Sequence, residues 1–191
     1  MESMSIEDRI LKVALEHFSQ KGYAQVRVSD IAQEANIGKG TIYLYFNSKR
    51  DLFYLTIEYA FRKLAEILWS DKDFSSILSL RTFVYDYFEN WELASKLGSL
   101  VLDGLSLGDR TFYSELRKMR DKYIIENLDK IVEKLIKANI IKEANQRIIS
   151  LFIWGNLVFF TTLVLKGEEI KLDKKEIWQM IFSGITSGLI K

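Results

Sequence analysis

Between Val28 and Lys49 the chain reads VSDIAQEANIGKGTIYLYFNSK, with small, basic and aromatic residues interleaved in its second half. Gly38 and Gly40 flank Lys39, so the backbone there can approach another surface closely. Lys39 brings a full positive charge that suits a phosphate or the acceptor edge of guanine. Thr41 is short, with a methyl that can touch thymine and a hydroxyl that can serve a base or the backbone. Tyr43 and Tyr45 carry hydroxyls on rigid stems, suited to phosphate contact without a large entropic cost. Lys49 and the start of the helix that follows form a second anchor. A helix N-terminus brought to the duplex would add free N–H groups and a positive dipole end. Together these groups amount to phosphate contact combined with base reading.

Two short helices must position them. Ile31, Ala32 and Ala35 make one apolar stripe on a helix of about two turns. Asn36 interrupts it, Ile37 re-enters the core and Gly38 marks the turn. On the next helix Ile42 and Phe46, four apart, face inward, which leaves Lys39, Thr41, Tyr43 and Tyr45 outside or along the flank. Helix, short turn and second helix is the layout of a helix-turn-helix DNA reader.

With the preceding ILKVALEHFSQKGY at Ile10 to Tyr23, the segment IAQEANIGKGTIYLYFNSKRDLF resembles the DNA-binding domain of the TetR (tetracycline-repressor-like) regulators, from about Ile6 to Leu55 without a gap. The resemblance implies that Arg27, Ser29, Lys39, Gly40, Thr41, Tyr43, Tyr45 and Lys49 occupy DNA-contacting positions. Against it stands the plainer reading that the tyrosines pack and the lysines are solvated. Two positions depart from the family pattern. Arg27 stands where Thr or Ser usually opens the second helix, and Gly38 where Ser or Thr usually precedes the recognition helix. Glycine still serves as an N-cap, but it lacks the hydroxyl that would touch a phosphate.

Composition fits a helical protein. Of 191 residues 48% are hydrophobic, enough for a sizeable core. Cysteine is absent, which excludes disulfides, thiolate metal sites and a cysteine nucleophile. Proline is absent too, favouring long uninterrupted helices. The net charge of +1 gives no global basic character, so any nucleic-acid contact must be local. From Ile37 to Arg50 the charged residues are Lys39, Lys49 and Arg50, with no acid among them. Glu2, Glu7, Asp8 and Arg9 interrupt the N-terminus, so no secretory signal is expected and the protein is read as cytoplasmic.

Ser5 with Asp8 opens a first helix whose core stripe is Ile10, Leu11, Ala14, Leu15 and Phe18, and Lys21-Gly22 stops it. Ser48 with Asp51 opens a fourth helix from Lys49 to Trp69. Asp71 to Ser75 breaks the pattern. Further helices are expected near Ser76 to Asn90, Leu93 to Leu105, Arg110 to Ala138, Lys142 to Leu165 and Asp173 to Ile190. No stretch alternates as a strand would. The expected fold is all-α. Residues 1–48 are read as the helix-turn-helix domain and 49–191 as a helical ligand-binding and dimerisation domain, with 49–69 as the linking helix.

Ile148 to Leu165 carries no charge over eighteen positions. A membrane span has that length, but so does a helix buried in a core and against a second subunit. Ser150, Asn156, Thr161 and Thr162 favour the buried dimer helix. The last helix offers Ile177, Ile181, Gly184, Ile185 and Gly188 at mostly three- and four-residue steps, and these are the candidate dimer contacts. The resemblance also implies a ligand cavity among the middle helices, for which Trp91, Phe112, Phe152, Asn156 and Phe159 are the candidate lining residues. Most aromatics at helical spacing are core. No cationic cluster in the region stands out to hold a highly charged ligand, so an apolar or amphipathic effector is expected.

His17, the single histidine, has no acid or cysteine cluster in the sequence around it to build a metal site, and no nucleophile elbow pairs with it. It is read as packing at the domain edge. Glu168-Glu169 reads as loop solvation. No cofactor, metal or catalytic set is expected. The reading is a homodimeric, ligand-responsive regulator, most simply a repressor, on a near-palindromic duplex. The competitors are a membrane-associated or ligand-sequestering helical protein with a vestigial reader, and behind it an enzyme.

Overall fold

The computed structural model describes residues 4–69, 76–108 and 110–165, together with residues 176, 179, 180, 182–184 and 187; the side chains of 162–165 are not described. The fold is all-α. In chain order the helices are α1 (Ile6–Gln25), α2 (Val28–Glu34), α3 (Lys39–Tyr45), α4 (Lys49–Trp69), α5 (Ile77–Glu89), α6 (Trp91–Ser106), α7 (Arg110–Arg120), α8 (Glu126–Lys137) and α9 (Gln146–Leu165), with a π-helical turn over Asp121–Ile125 between α7 and α8.

The Asp8 N–H donates to Ser5 Oγ at 3.0 Å and starts α1. Its stripe of Ile10, Leu11, Ala14, Leu15 and Phe18 is buried as expected. Gly22, at φ +75°, breaks the helix, and one more turn runs on to Gln25. Only a residue without a Cβ takes that conformation at little cost. The N–H of Asp51 donates to Ser48 Oγ at 3.0 Å and starts α4, which buries Leu52, Phe53, Ile57, Ala60, Phe61, Leu64 and Leu68. One buried apolar cluster extends from Ile10 to Leu157. Helices α1, α4 and α6 pack on one another, and α9 packs on α6 and α8.

Two expected boundaries move. The long helix over Arg110 to Ala138 is interrupted by the π-helical turn. The indole N–H of Trp69 donates to the Tyr123 carbonyl at 2.7 Å, so a carbonyl in this turn is tied to α4. Wide turns of this kind recur at functional sites. The helix expected from Lys142 begins at Gln146 instead, because Asn145 Oδ1 accepts the Ile148 N–H at 3.2 Å and acts as its cap. The break at Asp71 to Ser75 lies outside the described residues. In the region of the last expected helix, residues 176, 179, 180, 182–184 and 187 are helical. Among the described residues no helix is long and apolar enough to cross a membrane.

Candidate functional site

The turn between α2 and α3 is built by Asn36, not by Gly38. Asn36 takes φ +53°, its N–H donates to the Gln33 carbonyl at 3.1 Å, and the Ile37 N–H donates to the Ala32 carbonyl at 3.0 Å. This pair of bonds is a Schellman stop, and asparagine is the non-glycine residue that tolerates it best. Gly38, at φ −70° and ψ 145°, is extended and caps α3 without a side-chain bond.

His17 is tied down in a way its sequence neighbours do not reveal. It is 8% exposed, and its Nε2 lies 2.8 Å from Glu34 Oε2 at the end of α2. The pair fixes α2 against α1, so His17 is a positioning group within the reader. Sequence distance hides this partner, which stands seventeen residues away.

Ile42 and Phe46 are buried, and none of the eight candidate DNA-contacting residues is. Arg27 caps α2 and Ser29 stands in its first turn, with Ser29 Oγ donating to Asp30 Oδ1 at 3.2 Å. Lys39, Gly40, Tyr43 and Tyr45 are exposed on α3, and Thr41 is half-buried beside them. Lys49, also half-buried, opens α4. Its Nζ donates to the Ala24 carbonyl at 3.3 Å and stands 4.6 Å from the centre of the Tyr23 ring. Burial pulls the Lys49 ammonium below its usual range, and the Asp103 carboxylate pulls it back. Leu44, absent from the eight candidates, is 83% exposed on α3. A leucine held in water on a reader helix is suited to a thymine methyl, and the flanking Tyr43 and Tyr45 concealed it.

Behind the reader, α4, α5, α6, α7 and α9 enclose a cavity of about 350 Å³. Phe61 and Leu64 come from α4, Tyr87 from α5, Leu97, Val101 and Leu105 from α6, Tyr113 and Leu116 from α7, and Trp154, Val158 and Thr161 from α9. One polar pair faces it: Tyr87 Oη lies 2.7 Å from Thr161 Oγ1, which itself donates to the Leu157 carbonyl at 2.9 Å. Burial pushes the Tyr87 phenol far above its usual range, so it stays neutral.

Arg117 and Arg120 complete the lining and also border a polar cleft with Asp121 and Arg147. Arg120 donates to Asp121 Oδ1 at 2.7 Å and 2.9 Å, while Arg147 bridges Asp121 and Asp129 at 2.6 Å and 2.8 Å. Arg117 carries no ion pair among the described residues. Folding thus gathers three guanidiniums that the sequence scatters, two of them paired with Asp121 and Asp129.

The five candidate lining residues fall elsewhere. Trp91 opens α6 half-buried, and Phe112 is buried between Gly104 and Tyr54. Phe152 and Phe159, 52% and 58% exposed, face away from the core. Asn156 Nδ2 donates to the Phe152 carbonyl at 2.7 Å, so its partner is its own helix. The lining side of α9 is Trp154, Val158 and Thr161, at i, i+4 and i+7. An uncharged helix offers no polar face from which that phase could be read. Of the candidate dimer contacts Gly184 is exposed, while Ile177, Ile181, Ile185 and Gly188 lie outside the described residues.

Residues 10–54 match the family described as bacterial regulatory proteins, tetR family. The chain is 38% identical over 76 residues to the uncharacterised helix-turn-helix regulator YuxN of Bacillus subtilis, covering 40% of this chain and 23% of that protein. It is 31% identical over 84 residues to IcaR of Staphylococcus aureus, a negative regulator of the biofilm operon icaADBC, covering 43% of this chain and 45% of that one. The chain thus spans less than half the length of either relative. In fold it is similar to the fatty acid degradation regulator FadR of Bacillus halodurans, at 21% identity and a TM-score of 0.79 over 97% of both chains. It is also similar to FadR of Bacillus subtilis, solved with stearoyl-CoA, at 24% identity and a TM-score of 0.77 over 94% of this chain and 97% of that one. The helix-turn-helix segment, residues 10–54, is thus that of the tetR family of bacterial regulatory proteins.

Proposed function

We propose that the protein is a ligand-responsive transcriptional regulator of the cytoplasm, most simply a repressor, that binds a near-palindromic duplex as a homodimer and leaves it when the cavity is filled. The observation that carries this reading is that α4 and α6 form both the cavity wall and the support on which α1 rests. The division of labour follows: residues 1–48 read DNA, 49–69 link, and the remainder binds ligand and pairs subunits. Tyr43, Tyr45, Lys49, Arg27 and Ser29 serve the phosphates, while Lys39, Gly40, Thr41 and Leu44 approach the bases.

The effector is amphipathic. Its apolar part lies against Leu97, Val101, Leu116 and Trp154, and an anionic head meets Arg117, with Arg120 able to exchange Asp121 for the ligand. Acyl thioesters have this form, and FadR of Bacillus subtilis was solved with one. The effector acts only through its preference for one of two states of the dimer.

Selection from a pool of random duplexes with the full chain tests the reading. The expected product is an inverted repeat with half-site centres about 34–36 Å apart or a multiple of that, released by long-chain acyl-CoA. Unpaired half-sites would reject the symmetric dimer, and a complex indifferent to acyl-CoA would reject that effector class.

A further inference from the structure

Asp103 lies on α6 between Leu102, which lines the cavity, and Gly104, which packs on Phe112. Its carboxylate reaches out of the helix to the break in α1. It accepts the Tyr23 N–H, and its oxygens rest 3.6 Å and 3.7 Å from where a Cβ on Gly22 would stand. Lys49 holds the same segment from α4, bonded to the Ala24 carbonyl and lying over the Tyr23 ring. That ring also packs on Phe53, 5.0 Å between centres. An acid from the cavity wall and a base from the linking helix therefore clasp one short segment, Gly22 to Ala24, whose left-handed glycine is the natural pivot between α1 and the reader.

We propose that Asp103 is the positioning residue through which the cavity wall governs the reader, clamping the Gly22–Ala24 hinge and holding Lys49 inward in competition with a DNA phosphate. The inference rests on the DNA-binding reading above. A displacement of α6 by a ligand moves Asp103 with it, and hinge and ammonium move together. Lys49 is the group at stake, because a lysine held by a carbonyl and a ring, within the field of the Asp103 carboxylate, must give up part of that set to reach a phosphate.

The test uses the full chain and a duplex selected by the wild-type protein. Asp103→Asn keeps an oxygen for the Tyr23 N–H but removes the charge that faces Lys49. It should tighten binding by about threefold to tenfold, the size of a single-pair coupling. The gain should vanish when Lys49 is already Ala. Asp103→Ala should in addition speed hydrogen exchange at the Tyr23 amide, a readout that needs no DNA. Should Asp103→Ala fail to fold, the near-isosteric Asp103→Asn still decides. Equal affinity of wild type and Asp103→Asn, or an undiminished gain in the Lys49→Ala background, overturns the clamp and leaves the DNA reading standing. A wild-type chain that binds no duplex overturns both.

Discussion

The ring of Phe112 on α7 lies so close to Gly104 on α6 that a Cβ added there would stand 2.6 Å from Cε1 and 2.7 Å from Cε2. No real side chain tolerates such distances, so the absence of a Cβ at Gly104 sets the spacing of α6 and α7. On its other side Phe112 meets the Tyr54 ring, 5.2 Å between centres, and Tyr54 Oη accepts from Arg50 Nη2 at 2.9 Å. Contact thus runs from a helix that lines the cavity to the first turn of α4.

Gly104→Ala should destabilise the protein by about 1–3 kcal/mol, since overpacking forces either a ring or a helix to move. Thermal unfolding measures this, and pairing the change with Phe112→Leu should recover most of the loss. Recovery without Phe112 being touched would place the strain elsewhere.

How much of this was legible in the sequence depends on what each feature needs. Helices α1 to α4 were readable because their caps and stripes are local: Ser5 with Asp8, Ser48 with Asp51, and Ile42 with Phe46. The His17–Glu34 pair, the Phe112–Gly104 contact and the arginines around the cavity join residues far apart along the chain, and no periodicity encodes them. Glycine is the usual left-handed residue, so the sequence points to Gly38 for the turn, whereas Asn36 takes that conformation. Phe152 and Phe159 cannot be told from lining residues in the sequence, because an uncharged stretch hides which face of its helix points inward.

Inside the cavity, Tyr87 and Thr161 should respond unequally to losing their partner. Thr161 Oγ1 donates to the Leu157 carbonyl, so it accepts from Tyr87. Tyr87→Phe leaves Thr161 with a bond and should cost about 0.5–1.5 kcal/mol. Thr161→Val strands the buried phenol and should cost about 1–3 kcal/mol. Denaturant melts that ranked the two variants the other way would mean that the proton sits on Thr161.

Glu58 gives a pH signature. Burial would raise its carboxyl, but hydrogen bonds from Tyr123 Oη at 2.9 Å and Lys122 Nζ at 3.1 Å, with the charges of Lys122 and Arg62, outweigh it and hold Glu58 below its usual range. A depressed carboxylate stabilises the fold above its unfolded value, about 4.3, and that contribution is lost as the pH falls through the folded value. The melting temperature of Glu58→Gln should therefore lie below wild type near neutrality, with the gap closing below about pH 4. A gap that stayed constant down to acid would remove Glu58's charge from the account.

On α3, Leu44 and Tyr43 should separate base reading from phosphate contact. Tyr43→Phe removes a hydroxyl suited to a phosphate and should weaken all duplexes about equally. Leu44→Ala should instead relax preference at one base pair, by about 1 kcal/mol if a thymine methyl is lost. Lys49→Ala should lower the slope of log affinity against log salt by about one unit. Affinities of each variant for a set of single-base operator changes distinguish the patterns, and a uniform loss from Leu44→Ala would take Leu44 off the base edges.

The subunit interface is expected on α9 and the segment beyond it. Ile148, Phe152 and Phe159 are 66%, 52% and 58% exposed, and they sit at i, i+4 and i+11 with the exposed Gly155 at i+7. The position of a Cβ on Gly155 meets nothing within 4 Å, and the same holds at Gly184. Large apolar side chains rarely line one face of a helix in water without a partner, and glycines between them allow a second helix to come close. Two such helices from each subunit would form a four-helix interface about a two-fold axis. At such an interface Phe159→Arg and Gly184→Arg would each place a charge against apolar surface, and an unpaired buried charge is costly. Both should sediment as monomers and lose the selected duplex, although every residue of the reader is intact. Ile181→Arg, with Ile177, Ile185 and Gly188 its expected neighbours at the interface, should do the same. Dimers that persisted in all three variants with wild-type affinity would move the interface to other helices.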